Sequence, residues 1–205
     1  VVINAFFRRA KEVFQKEKYT MNVLVISSSP NKDGLTAACA AAAVVGIREA
    51  GGQVEEVRLN DLNVGMCQAC DNGWGTCLAD HTCQVKDDFQ ALHKRVCEAD
   101  ALVLVTPVYW GDLSESAEAF TDRLRRCEAT RRDASCLAGK PVLAVAAAGG
   151  SGGGMITCLL SLERWINHVR ARVFDLLPVN RWSREYKLVA IQSAAYAMVQ
   201  EATVP

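Results

Sequence analysis

Short apolar runs alternate with longer segments of helical periodicity along most of the chain. The runs lie at 23–26, 54–59, 101–106, 141–147 and 173–177. Most of them are apolar through their length, which is typical of strands buried on both faces of a parallel sheet. A helical pattern follows each run, at 36–50, 87–97, 114–126, 157–169 and 185–202. The alternation predicts an α/β sandwich with a five-stranded parallel sheet.

Five strands with right-handed crossovers suit the flavodoxin-like strand order 2-1-3-4-5. In that order strands 1, 3 and 4 are neighbours, and the loops after them meet at one edge of the sheet. These loops, at 27–36, 106–114 and 147–154, are respectively serine-rich, aromatic after a proline, and glycine-rich. Ligands of open α/β sheets bind at such an edge, so the pattern predicts one crevice built from three loops.

The first of these loops has the composition of an anion site. Three serines, at 27–29, and Thr36 offer hydroxyl groups, and the helix that follows offers backbone N–H groups and a favourable dipole. Neither GxxxxGK[ST] nor GxGxxG follows the strand, which argues against a P-loop nucleotide or a Rossmann dinucleotide. A plain strand–turn–helix with serine caps is the alternative.

Composition excludes several classes of partner. The 205 residues include 23 Lys and Arg and 23 Asp and Glu, so the formal net charge is zero. This balance argues against nucleic acid or an anionic membrane as the main partner. No apolar run approaches the roughly 20 residues of a membrane span, and no secretory signal is evident, so we expect a cytoplasmic protein.

The first twenty residues have the pattern of an amphipathic helix that precedes the main domain. Apolar residues recur at helical spacing between 3 and 14, with basic and acidic residues between them, and Met21 immediately precedes the first strand. We therefore expect a helical extension at 1–20 and one domain at 21–205. Docking on its own subunit or on a partner subunit is favoured over membrane-surface binding, because acidic residues dilute the basic face.

Four of the nine cysteines cluster in an irregular insert at 65–85. Their spacing is Cys67-x2-Cys70-x6-Cys77-x5-Cys83. Four thiolates can ligate a [4Fe–4S] cluster or a structural zinc, and metal-free thiols are the third alternative. The other five cysteines occupy helical or strand-flanking positions typical of small buried side chains: Cys39, Cys97, Cys127, Cys136 and Cys158.

Four segments carry a family resemblance, in order along the chain. They are ISSSPNKDGLT (26–36), the cysteine insert leading into Asp-Asp (67–89), the segment around PVYWG that ends in Phe-x-Asp-Arg (99–124), and LAGKPVLAVAAAGGSGGG (137–154). Together they resemble the NAD(P)H-dependent FMN reductases and iron–sulfur flavoproteins. The resemblance runs from residue 21 to about 170 and leaves the last thirty-five residues without a signature.

The resemblance implies a non-covalently bound FMN. It implies hydride transfer from NADH or NADPH to the flavin, and then to a quinone, a flavin, a nitro-compound or a protein. No side chain is predicted as an acid, base or nucleophile. A flavodoxin-type or iron–sulfur electron carrier is the alternative function, and a homo-oligomer, dimer or tetramer, is expected. The implied FMN contacts are Ser29, Asn31, Gly34, Leu35, Thr36, Pro107, Val108, Tyr109, Trp110, Gly111, Gly149, Gly150, Ser151 and Gly152.

The sequence also departs from the family pattern. Asn31 stands where an arginine is common, and Ser28 replaces a common glycine. Iron–sulfur flavoproteins use a tighter C-x2-C-x2-C, so metal-free thiols are slightly favoured over a cluster, with zinc behind both. The remaining candidates are interpreted as surface or satisfied histidines (His81, His93 and His168) and as solvated charges near a helix end (Arg123, Arg125, Arg126, Arg131 and Arg132).

Overall fold

One parallel sheet of five strands, in the order β2-β1-β3-β4-β5, forms the centre of the computed structural model, which describes residues 20–201. Every neighbouring pair is parallel, so the predicted fold class and strand order are confirmed. The strands are β1 Asn22–Ser27, β2 Gln53–Arg58, β3 Ala101–Pro107, β4 Pro141–Ala148 and β5 Arg172–Asn180. The main helices are α1 Leu35–Glu49, α2 Phe89–Glu98, α3 Glu115–Glu128, α4 Met155–His168 and α5 Arg184–Glu201.

The continuous apolar runs are buried because helices cover both faces of the sheet. Alternate residues of β3 point to opposite faces: Leu102 and Leu104 join one core cluster, and Val103 and Val105 join the other. On the second face α1 packs closely against α5, where Gly46 meets the backbone of Gln192. A side chain at Gly46 would force these two helices apart.

Most predicted boundaries differ from the structure by one or two residues, and the larger differences lie at β5 and around the cysteine insert. β5 continues to Asn180, three residues beyond the predicted end. The cysteine insert is irregular as expected, but short helical turns lie just before it, at Leu59–Asp61, and within it, at Asp71–Gly73 and Thr76–Ala79. The predicted helical extension at 1–20 lies outside the described residues apart from Thr20. Between residues 20 and 201 no helix is long and apolar enough to cross a membrane.

Arg123 is buried, so its interpretation as a solvated charge is wrong. Its side chain is 1% exposed and donates to both carboxylate oxygens of Asp87, at 2.5 and 2.9 Å. It also donates to Gly65 O at 2.9 Å and lies 3.3 Å from Cys83 Sγ, while its guanidinium stacks on Phe89 at 4.3 Å from the ring centre. One cation therefore holds both ends of the cysteine insert against α3.

The ionisation of Asp87 reflects these contacts. Burial alone would raise the pKa of the Asp87 carboxyl. Hydrogen bonds from Arg123 and from the backbone N–H groups of Phe89 and Gly65 outweigh burial, and the pKa lies below its usual value. Asp87 is therefore an anion at neutral pH and a fixed partner for the buried guanidinium.

The cysteines outside the insert fall into two groups. Cys39, Cys127 and Cys158 are buried as predicted, and burial raises the pKa of each thiol to about 12. Cys97 and Cys136 were expected to be buried small side chains, but they form a half-exposed disulfide across 39 residues. A pairing between positions so distant in sequence depends on the approach of α2 to the segment after α3.

Replacing Asp87 by Asn should destabilise the protein strongly. The substitution leaves Arg123 as a buried charge without its anion, and we expect the free energy of unfolding to fall by about 3–5 kcal/mol. Asp122→Asn is the matched control, because Asp122 pairs with Arg125 at the surface with 46% of its side chain exposed. The control should change stability by less than about 1 kcal/mol in urea denaturation.

The same pair predicts a pH dependence. Because the folded-state pKa of Asp87 is lowered, its stabilisation is fully present above the unfolded pKa of about 3.9. It is lost as the pH falls through the folded-state pKa. The stability difference between wild type and Asp87→Asn should therefore shrink in acid, and a difference that grows in acid would contradict this account.

Candidate functional site

Three loops with unusual composition lie side by side at the carboxyl edge of the sheet. β1, β3 and β4 are adjacent, with Ser27 in register with Val105 and Pro107 with Ala147. The segments that follow these strands therefore leave the sheet at the same edge. This is the switch point at which open α/β sheets bind their ligands.

The first loop presents an uncapped helix start. Helix α1 begins at Leu35 after Gly34, with no side-chain cap and no acidic residue in its first turn. Ser29 Oγ accepts a hydrogen bond from Asn31 N at 3.2 Å, which keeps the hydroxyl proton available for donation. Thr36 is buried at the start of the helix. The first-turn N–H groups and these hydroxyls suit a phosphate.

Arg58 contributes a positive charge to this loop and was missed by the sequence analysis. Its guanidinium donates to Ser29 O at 3.2 Å and lies 3.5 Å from Pro30 O, and it pairs with Asp61 at 3.3 Å. Arg58 is the last residue of β2, outside every motif of the first loop. The predicted strand order places β2 beside β1, so the sequence could have indicated that a residue at the end of β2 reaches the loop after β1.

The second loop holds an aromatic pair in a tight turn. Tyr109 and Asp112 exchange two backbone hydrogen bonds of 2.9 and 3.0 Å. The two residues between them, Trp110 and Gly111, have φ values of 51° and 85°. Positive φ at both central positions is the geometry of a type I′ turn. The Trp110 side chain is fully exposed and Tyr109 is 40% exposed, so the pair does not belong to the core.

Buried hydroxyl groups connect the first loop to the second. Ser114 Oγ lies 3.0 Å from Ser28 O and 2.9 Å from Ser28 Oγ. Ser114 N donates to Thr106 Oγ1 at 3.1 Å, and Ser114 also caps α3 by accepting from Ala117 N. Ser28, the residue that replaces the family's common glycine, therefore anchors the first loop against the second.

The third loop contacts the second through glycine. A Cβ atom on Gly154, where φ is 77°, would lie 2.6 Å from Gly111 Cα. Thr157 Oγ1 donates to Gly111 O at 2.6 Å and strengthens the same contact. A Cβ atom on Gly149 or Gly150 would meet no heavy atom within 4 Å, so the backbone of these two residues is open to a ligand. The three loops form one continuous surface.

Trp182 extends this surface and was also missed. A Cβ on Gly152 would lie 2.6 Å from Trp182 Cζ3, so the indole packs directly on the glycine-rich loop. Asn180 Oδ1 fixes this turn by accepting from Trp182 N and Ser183 N at 3.1 and 2.9 Å. The side chain of Trp182 is 64% exposed. It comes from the last part of the chain, which carries no motif.

The four insert cysteines line one small cavity. Cys67, Cys70, Cys77 and Cys83 are all half-buried around a largely apolar space of about 20 Å³. Within residues 20–201 they are not among the Cys, His, Asp and Glu ligand atoms that lie within 4.8 Å of one another. A tetrahedral Zn²⁺ requires sulfur separations of about 3.8 Å. The arrangement is wider than a zinc site.

Two arginines face the cysteine cavity. Arg123 contributes its contact with Cys83, and Arg126 lines the cavity while stacking on Trp74 at 4.2 Å from the ring centre. Four thiols with adjacent cations are the ligand chemistry of an anionic iron–sulfur cluster, but a space of about 20 Å³ holds only about one water, so the insert would have to open to admit a cluster. Arg123 follows Ser114 by nine residues, so the cavity is roughly 13 Å along α3 from the three loops.

The strand order and the two helical layers define a flavodoxin-like fold. Residues 21–180 match the family model described as NADPH-dependent FMN reductase, which is more than half of the chain. The chain therefore belongs to the NADPH-dependent FMN reductase family.

Individual proteins resemble parts of the chain. An iron–sulfur flavoprotein of Archaeoglobus fulgidus is 33% identical over 104 residues, 51% of this chain and 46% of that protein. The iron–sulfur flavoprotein MJ1083 of Methanocaldococcus jannaschii is 32% identical over 105 residues, 51% of this chain and 52% of that protein. The chain thus spans about half the length of these two relatives. A solved flavone reductase superposes with a TM-score of 0.71 at 17% identity, covering 90% of this chain and 64% of that one.

Gly154→Ala should separate the second and third loops. Its Cβ would meet the backbone of Gly111, and alanine at a φ of 77° is strained, so we expect about 2 kcal/mol of destabilisation. FMN affinity, measured by fluorescence titration, should fall at least about tenfold, which is about 1.4 kcal/mol. Gly153→Ala is the control, because its Cβ would lie 3.6 Å from the nearest atom and its φ is not positive. Equal effects of the two substitutions would contradict the predicted role of this contact.

Arg58→Ala should weaken FMN but not riboflavin. Loss of a charge-assisted contact at the phosphate loop should raise the Kd of FMN by about tenfold or more. Riboflavin lacks the phosphate, so its Kd should stay unchanged. Arg48→Ala serves as the control, because Arg48 is 65% exposed at the far end of α1. A parallel loss of riboflavin binding in Arg58→Ala would show that Arg58 acts through folding alone.

Proposed function

We propose that the protein is an FMN-dependent oxidoreductase that takes hydride from NADH or NADPH and passes electrons to an acceptor. The observation that carries the proposal is the joining of three loops into one surface at the switch point of the sheet. The phosphate would be held by Ser29, Asn31, Gly34, Leu35 and Thr36, with Arg58 of β2 adding a guanidinium beside a loop that contains no arginine of its own.

The flavin ring would lie between the second and third loops. Backbone atoms of Pro107, Val108 and Gly111 can hydrogen-bond its polar rim, and Tyr109 or Trp110 can stack on its face. Backbone N–H groups of 149–152 can approach closely, because the glycines carry no side chains, and would stabilise negative charge on the reduced ring. Trp182 covers Gly152 and is placed to border the ring from the side of α5.

Bound FMN supplies the redox chemistry in this proposal, exchanging hydride with nicotinamide and electrons with the acceptor. The chain supplies binding, orientation and electrostatics, and no side chain is assigned as acid, base or nucleophile. A quinone, a free flavin, a nitro-compound or a protein would serve as acceptor. The exposure of Trp110 and Tyr109 leaves this edge accessible to an incoming molecule or partner.

A cluster in the cysteine cavity is the second part of the proposal. Cys67, Cys70, Cys77 and Cys83 line one apolar space, Arg126 adds positive charge there beside the Arg123–Asp87 pair, and the curated relatives described above are named iron–sulfur flavoproteins. A [4Fe–4S] cluster held there would divide the electron pair of the flavin into single steps. This favours an electron-transfer protein among the acceptors.

We also propose that the protein forms a homo-oligomer. Tyr109, Trp110 and Trp182 expose a large aromatic area at the proposed flavin edge, and such surfaces are commonly covered by another protein. The amphipathic pattern of the sequence at 3–14, which lies outside the described residues, also favours assembly. Light scattering should give a dimer or tetramer at micromolar concentration, and a monomer would contradict this part.

Anaerobic stopped-flow spectroscopy tests the oxidoreductase function. Purified protein loaded with FMN should lose its flavin absorbance within seconds of mixing with NADH or NADPH. An FMN-bound protein that no nicotinamide bleaches would instead support the electron-carrier alternative. A protein that binds no FMN at all would overturn the proposal.

Metal analysis of anaerobically purified protein tests the cluster. We expect about four irons and four sulfides per chain. A variant with serine at the four insert cysteines should lose both while keeping FMN. Replacing Cys97 and Cys136 by serine is the control and should leave iron unchanged. If the wild-type protein contains no iron, the cluster proposal is wrong and the insert is a metal-free segment.

A further inference from the structure

A second group of metal-ligating side chains lies at the opposite edge of the sheet. His93, Cys97, Glu128 and Cys136 offer one ligand atom each, and these atoms all lie within 4.8 Å of one another. His93 and Cys97 are four residues apart on α2, Glu128 ends α3, and Cys136 follows eight residues later. Both helices end there before β3 and β4 begin, so the group is remote from the flavin edge.

The carboxylate of this group is preorganised. Glu128 is completely buried. Its Oε2 accepts from Ser135 Oγ at 3.0 Å and from Cys136 N at 2.7 Å, which leaves Oε1 directed at His93 Nε2 at 2.7 Å. Carboxylates that bind a metal through one oxygen are typically oriented by hydrogen bonds to the other oxygen, as Oε2 of Glu128 is here.

The Sγ atoms of Cys97 and Cys136 lie within 4.8 Å of the ligand atoms of His93 and Glu128. Cys97 and Cys136 are joined as a disulfide with their Cα atoms 5.1 Å apart, and both remain half-exposed to a reductant. Lys140 Nζ donates to Cys97 O at 2.6 Å and fixes the last turn of α2. A disulfide by itself requires neither a histidine nor a buried glutamate, so these two groups remain unexplained by the disulfide alone.

We propose that His93, Cys97, Glu128 and Cys136 bind a zinc-type divalent metal ion when the two cysteines are reduced. One nitrogen, two sulfurs and one oxygen form a four-ligand set that zinc accepts in tetrahedral geometry. His93 and Cys97 at i and i+4 present their ligand atoms on one helix face. The disulfide is the metal-free form of the same site.

Reduction of the disulfide precedes metal binding. A dithiol reductant gives two electrons and two protons to the disulfide and itself becomes a disulfide, which leaves thiols at Cys97 and Cys136. Zn²⁺ then displaces the two thiol protons, and the imidazole proton that His93 Nε2 donates to Glu128 moves to Nδ1, so that Nε2 and the carboxylate both bind the metal. Arg131, 3.8 Å from Glu128 Oε2, and Lys140 are the cations that offset the negative charge of the ligand set.

Zinc titration of the whole protein tests the site, and Zn²⁺ alone is the probe. One sample keeps the disulfide, and the other is reduced with a phosphine and desalted anaerobically. Zinc bound per chain is then counted by elemental analysis, and affinity is measured by competition with a chromophoric chelator. The reduced protein should bind one more zinc per chain than the oxidised protein.

Variants assign that additional zinc. Replacing Cys97 and Cys136 by serine should abolish it, which separates this site from the thiols of the insert. His93→Gln should weaken it by about tenfold or more, whereas His168→Gln, at an exposed position, should not change it. An unchanged circular dichroism spectrum and an unchanged urea midpoint establish that each variant is folded; if His93→Gln does not fold, Glu128→Gln takes its place.

Any one of three outcomes would overturn the proposal. The first is that reduction adds no zinc, the second that the additional zinc survives in the Cys97 and Cys136 variant, and the third that its affinity is independent of His93 and Glu128. The site does not rest on the proposed flavin chemistry, because zinc stoichiometry is measured without turnover. Zinc binding can therefore be confirmed or excluded even if the protein has no reductase activity.

Discussion

The buried ion pair between Arg123 and Asp87 joins two parts of the molecule that share no secondary structure. Asp87 begins the segment that leads into α2, and Arg123 lies in the middle of α3. Because Arg123 also contacts Gly65 O and Cys83 Sγ, the long insert after β2 is held at both ends by one side chain. The order of the cysteine cavity depends on this charge remaining paired, since an unpaired buried guanidinium is strongly destabilising.

The carboxyl edge of the sheet, where we propose that FMN binds, is organised by different forces. Hydroxyl contacts between Ser28 and Ser114 and the close approach of Gly111 and Gly154 tie three loops together without a charged residue at either junction. Positive charge near the first loop comes instead from the helix dipole of α1, the guanidinium of Arg58 and the exposed Lys32. This arrangement supports the proposed placement of the FMN phosphate at the first loop and of the flavin ring between the other two.

The fold was predictable because the apolar runs of β1, β3 and β4 are unbroken and alternate with helical segments, and few strand orders satisfy right-handed crossovers. The three loops followed from that order. Arg58 and Trp182 were missed since each reaches the edge from an element without a motif. The burial of Arg123 depends on Asp87, 36 residues away in sequence, and a basic residue on a helix gives no local sign of such a partner.

Helix α3 also acts as a fixed spacer between two parts of the protein. Ser114 at its start secures the flavin edge, and Arg123 further along secures the cysteine cavity. One added or deleted residue between them would turn Arg123 by about 100° around the helix axis, away from Asp87, while Ser114 stayed in place. Homologous chains that keep both sites are therefore constrained to an unchanged residue count in this stretch, although its exposed surface positions remain free to vary.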